Sequence, residues 1–164
     1  MVTTVANDPS KDIQDMLKKL TKAKDELQDK LLEVGEEAVT LIRKRTRLGY
    51  GVSEQGGKKK RLKKLDEGNT KKPYTKRRKN ISLSSLTTPA KSNLTQSGAM
   101  LDDLEATKTS NGNIEIGFST ELSEDKATWN TDKGRPFNNL SKSEQRQLKD
   151  MLTEKLEKIL KKLS

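Results

Sequence analysis

Apolar side chains first recur at Ile13, Met16, Leu17, Leu20, Ala23, Leu27, Leu31, Val34, Ala38, Leu41 and Ile42. Steps of three and four trace one stripe over about eight helical turns. Asp8 is a good N-cap, and Pro9 suits the first helical position, where its missing N–H leaves nothing unsatisfied. Gly49 is a natural stop. The pattern predicts a short tail over residues 1–8 and a long amphipathic helix over 9–48. The stripe is narrow and the rest of the surface charged, so such a helix packs on a sheet or on another helix; a free-standing coiled coil is the alternative.

A second helix is equally plain at the other end. Ser141 and Glu144 have the spacing of a capping box, and Leu148, Met151, Leu152, Leu156, Ile159, Leu160 and Leu163 form the stripe behind it. Between the two lies a period-two pattern. Residues 104–109 and 114–118 flank Ser110-Asn111-Gly112-Asn113, and Asn-Gly is the strongest short hairpin signal. Ile114, Ile116 and Phe118 fall on one face, which needs a cover, and the long helix is the natural one. A helical turn is expected near 97–103 and a short helix over 121–130 carrying Trp129. Gly134-Arg135-Pro136-Phe137 should then return in extended form, because the residue before proline is pushed towards β geometry. These elements form one α+β domain: an antiparallel sheet flanked by an N-terminal and a C-terminal helix.

Charge separates the remaining stretch from its neighbours. The chain has 34 Lys+Arg and 24 Asp+Glu, a net charge of +10. Residues 43–79 alone hold 16 Lys/Arg and 3 acids, so the other 127 residues are net negative. Glycines and Pro73 interrupt this segment and its apolar residues keep no period, so 49–80 reads as a basic arm or long loop joining the first helix to the α+β portion, 81–164. Lys58, Lys59, Lys60, Arg61, Lys63, Lys64, Lys71, Lys72, Lys76, Arg77, Arg78 and Lys79 are its candidate contacts. They can neutralise phosphates of a nucleic acid by counterion release, or dock on acidic neighbours in an assembly. Among these clusters, 58–79, Tyr74 alone offers a stacking surface, so base-specific reading is not expected.

Composition narrows the function classes. There is no histidine and no cysteine, so Ser–His–Asp and Cys–His nucleophiles, His/Cys zinc sites, thiol redox centres and disulfides are excluded. No pattern orders the carboxylates for acid–base work, and no enzyme activity or cofactor is expected. Gly51 and Gly56 have the separation of a phosphate loop, but Gly57 stands where its lysine belongs and no hydroxyl residue follows Lys58. No apolar run approaches the roughly 18 residues of a membrane span, and the first residues do not read as a signal peptide; an intracellular, soluble protein is expected. Hydrophobic residues are 29% and aromatic residues 3% of the chain. So thin an apolar supply offsets the roughly 1–2 kcal/mol of backbone entropy per residue poorly within one subunit. Burial against other copies is therefore expected. Trp129, Arg135 and Phe137 are the candidate anchors, tryptophan and arginine being favoured at such contacts; ordinary core packing is the alternative for Trp129 and above all for Phe137.

The order of these features resembles a known family. A long helix and a basic loop lead to Ser92-Asn93-Leu94-Thr95-Gln96-Ser97-Gly98-Ala99-Met100-Leu101. A hairpin with Ile114-Glu115-Ile116-Gly117-Phe118 comes next, then Ala127-Thr128-Trp129-Asn130, Arg135-Pro136-Phe137 and a capped final helix. This order is similar to that of the tail-completion, or tail-terminator, proteins of long-tailed bacteriophages, over roughly residues 10–163. One departure is Asn130-Thr131-Asp132-Lys133-Gly134, where the family often has an aromatic–acidic–Gly-Thr sequence. The resemblance implies a structural virion protein of the neck, assembled in the host cytoplasm as a homo-oligomeric, hexameric ring. Its implied partners are the tail tube protein, the head-side connector or stopper, and the genomic DNA that crosses the ring. The alternative is a nucleic-acid-binding accessory protein acting through 43–79.

Overall fold

The structure is a computed structural model describing residues 9–63, 94 and 98–163, with side chains from residue 13 onward. The tail 1–8, the Asp8 cap, most of 64–97 and Ser164 lie outside the described residues. The element order is α1 (Pro9–Arg47), β1 (Tyr50–Gly51), β2 (Lys60–Arg61), α2 (Ala99–Asp102), β3 (Leu104–Lys108), β4 (Ile114–Phe118), α3 (Glu121–Asp132) and α4 (Lys142–Leu163). The fold is α+β, with two separate two-stranded antiparallel sheets, β1–β2 and β3–β4.

Helix α1 ends as its sequence requires. Gly49 has φ 84°, a left-handed conformation that costs a glycine nothing, and its N–H donates to Thr46 O at 2.8 Å. The β3–β4 hairpin pairs Leu104 with Phe118 and Lys108 with Ile114, and Thr109 N donates to Asn113 O at 2.8 Å across the turn. Helix α1 covers one face of this hairpin. The crossing is at Gly35, where an added Cβ would stand 2.6 Å from Ile114 Cγ2 and 3.0 Å from Ala106 Cβ. The glycine is there because the helix backbone rests directly on the sheet. Ile114, Ile116 and Phe118 are half-buried in consequence rather than sealed.

Helix α4 lies antiparallel along α1. Gln147 meets Glu37, Lys155 meets Glu33 at 2.5 Å, and Lys162 meets Glu26. Because α4 finishes beside Glu26, the first turns of α1, from Pro9, extend past it by about 25 Å at 1.5 Å per residue. Ile13, Met16, Leu17 and Leu20 lie on that overhang and are all exposed. Four of the eleven residues of the predicted stripe are therefore uncovered.

The core is small: Val39, Ile42, Leu62, Met100, Leu101, Leu104, Ala127 and Phe137. Phe118 meets Phe137 edge-on, with ring centroids 6.3 Å apart. Leu62 belongs to the segment expected as an arm, and this is the main difference from expectation. Residues 49–63 fold back: Tyr50 pairs with Arg61 and Gly51 with Lys60, and Val52 and Leu62 are buried. Gly56 N donates to Leu140 O at 2.7 Å, and Leu62 N to Gly49 O at 2.9 Å. Gly51 lies so close to the chain at Pro136 that a Cβ would sit 2.0 Å from the Pro136 carbonyl oxygen. Two buried apolar residues and a glycine at a backbone crossing hold this stretch to the body.

Candidate functional site

The basic segment divides into three parts. Its first arginines are structural. Arg43 donates through Nε to Leu101 O at 2.8 Å and through Nη2 to Asp102 O and Leu104 O at 2.8 and 2.6 Å, tying α2 to α1. Arg47 pairs with Asp102 at 2.5 Å. Arg45 is buried. Its Nη1 donates to Glu144 Oε2 at 2.5 Å, and its Nη2 donates to Phe137 O and, at 2.9 Å, to Asn139 O. These arginines stand on the last turns of α1, not on an arm, and their charges are committed within the chain.

The second part is the folded-back stretch. Lys58, Lys59, Lys60, Arg61 and Lys63 are all exposed there. Arg61 lies over the Tyr50 ring, 5.1 Å from its centroid, and Lys59 reaches Glu144 Oε1 at 3.1 Å. Lys58, Lys60 and Lys63 are thus presented on a ribbon fixed to the body. The third part, with Lys64, Lys71, Lys72, Lys76, Arg77, Arg78 and Lys79, lies outside the described residues.

Glu144 is the hub on which the first two parts converge. The expected capping box forms: Ser141 N and Oγ donate to Glu144 Oε2 at 2.9 and 2.8 Å. The same oxygen takes Arg45, and the other takes Lys59. Burial pushes this carboxyl up, but the Ser141 donors, the Arg45 charge and Lys59 outweigh it, so it ends below the ordinary carboxylate value. Burial draws the Arg45 guanidinium down while Glu144 draws it back up. The side chain stays charged, as arginine does in proteins. One local signal, the capping box, was legible in the sequence. Its partner 99 residues upstream was not.

The three aromatic-region candidates separate. Trp129 is 56% exposed, on the outer face of α3 with Leu122, and Lys133 Nζ stands 5.8 Å over its ring. The helix seats through small residues, Ser123 and Ala127, which are buried. Its start is held from outside: the Asp103 carboxylate accepts Thr120 N–H at 3.1 Å, Thr120 Oγ1 at 2.5 Å and the Ser119 hydroxyl. These donors hold Asp103 down at about 2. Phe137 corrects the expectation of a subunit contact: it is completely enclosed in its own core and has no surface to offer. Arg135 is buried as well, its Nε donating to Lys63 O at 3.1 Å, so it clamps the folded-back stretch. Of the three, only Trp129 is available to another molecule.

Among the described residues no group of carboxylates is gathered as a metal site, and no helix is long and apolar enough to cross a membrane. No family model, no curated protein and no solved structure matches this chain.

Proposed function

We propose that the chain is a structural subunit of a bacteriophage neck, a tail terminator that closes into a ring, caps the tail tube and meets the head connector. The order of sequence words between Ser92 and Phe137 suggests the family. The observation that carries the reading is a pair of unlike apolar surfaces on separate elements: Trp129 with Leu122 on α3, and Ile13, Met16, Leu17 and Leu20 on the overhang of α1. An isologous dimer needs one self-complementary patch. A heterologous contact needs two different ones, and it makes a ring when the rotation closes. Among the described residues twelve apolar side chains are buried, while Ile13, Met16, Leu17, Leu20, Leu122 and Trp129 remain exposed for such contacts.

Light scattering and negative-stain electron microscopy of the full chain test this, alone and with tail tube protein. Rings with a central hole are expected. Trp129→Ala should abolish them while leaving the melting temperature unchanged, because the indole contributes little to the monomer core. A chain that stays monomeric in both settings defeats the proposal.

A second reading is favoured by the exposed Lys58, Lys60, Arg61 and Lys63: a nucleic-acid-binding accessory protein. Replacing these four by Gln should then flatten the dependence of DNA affinity on salt, each lost phosphate contact removing about 0.9 from the log–log slope. An unchanged slope removes this reading without touching the first.

A further inference from the structure

We infer that the cleft beside the C-terminal end of α1 is a binding site for a carboxylate carried on an apolar or aromatic body. The cleft measures about 330 Å³ and is lined by Leu41, Lys44, Arg45, Leu48, Tyr50, Lys59 and Glu144. That volume is at the lower end of the range for small-molecule and side-chain pockets, roughly 300–1,000 Å³.

Its walls and its charges point to one chemistry. Leu41, Leu48 and the Tyr50 ring supply an apolar side, and Leu48 is 52% exposed among the described residues. Arg61 packs over the Tyr50 ring and steadies its plane. Three cations, Lys44, Arg45 and Lys59, face a single carboxylate, Glu144. Both oxygens of Glu144 are already occupied, one by Arg45 and the Ser141 donors, the other by Lys59. No acid among the described residues pairs with Lys44, so the excess positive charge stands at the cleft itself. The Arg45 Nε–H is also buried without an acceptor among the described residues. A wall of leucine and tyrosine beside the uncompensated Lys44 ammonium suits an arylacetate-like acid or the C-terminal carboxylate of an apolar residue. A phosphodiester would satisfy the lysines and leave the apolar wall in water. The site stands independently of the ring proposal.

Titration of the ¹⁵N-labelled full chain tests it, with phenylacetate and with acetyl-Gly-Phe bearing a free C-terminus as probes. Saturable shifts of the Leu48, Gly49 and Tyr50 amides are expected with at least one of them, and the tighter probe identifies the source as a free acid or a peptide end. Phenylacetamide, the peptide amide and dimethyl phosphate should bind at least tenfold more weakly. Lys44→Gln should weaken the acid by roughly two- to fivefold, as loss of one exposed charge contact does, and Leu48→Gln should weaken it as well. Both side chains are solvent-exposed, so the fold is retained. Equal binding of acids and amides, equal binding of dimethyl phosphate, or no saturable shift at these amides overturns the inference.

Discussion

Replacing Glu144 by alanine is the sharpest test of how this chain holds together. The side chain is 2% exposed and accepts from Arg45, Ser141 and Lys59 at once. Its removal strands the Arg45 guanidinium, itself 5% exposed, in the interior. Breaking one partner of a buried pair costs about 3–5 kcal/mol. Loss of the capping network at the start of α4 adds about 1 kcal/mol. The expected total, about 4–6 kcal/mol, is a large share of the roughly 5–15 kcal/mol by which domains are stable. Urea unfolding followed by far-UV circular dichroism is the assay, since exposed Trp129 is a poor fluorescence reporter of this core. Glu144→Gln keeps shape and one acceptor and should cost less, about 2 kcal/mol, which keeps the test readable if the alanine variant fails to fold. Combining Arg45→Met with Glu144→Leu should reveal a coupling of about 2–3 kcal/mol. The double variant will not be neutral, because Phe137 O and Asn139 O also lose their donor. A cost below about 1 kcal/mol for Glu144→Ala, the scale of a surface pair, would refute the reasoning.

Two further outcomes are expected. Gly35→Ala should lower stability by about 1–3 kcal/mol despite alanine's higher helix propensity, because the new methyl meets Ile114 and Ala106; adding Ile114→Ala should restore part of the loss, and a more stable Gly35→Ala would show that α1 does not rest on the sheet. The second is acid sensitivity: Asp103 and Glu33 are both held at about 2, the first by the Ser119, Thr120 and Ser123 donors, the second by Lys155 and Lys30. Their unfolded values are 3.8 and 4.5, so their stabilisation is complete above that range and is lost as pH falls towards about 2. The melting temperature should fall over that window, and Asp103→Asn should reduce the fall; an NMR titration midpoint near 4 for the Asp103 carboxyl would refute its part.

Much of the fold is legible residue by residue. The stripe from Ile13 to Ile42, the glycine stop at Gly49, the Asn-Gly turn and the Ser141–Glu144 box each place an element within a residue or two of where it lies. Those signals are local: a cap, a turn or a period depends on neighbours three or four residues away, and the backbone answers to them before any tertiary contact forms. The exposed Trp129 was also legible as a rare aromatic near a helix end, although not its exposure.

What the tertiary structure alone decided is where charge and apolar surface end up. Charge density marked 49–80 as a basic arm or loop, whereas Val52, Leu62 and the tight crossing at Gly51 hold its first part, 49–63, to the body. Arg45 looked like one more member of a basic cluster until Glu144 was brought to it from 99 residues away. Phe137 could be read as an interface anchor or as a core residue, and the Phe118 ring and the core that close around it decide for the core. In each case the residue's own chemistry is unchanged; what differs is whether water or protein surrounds it. That is set by the long-range packing of α1, the two sheets and α4, which no local pattern in the chain encodes.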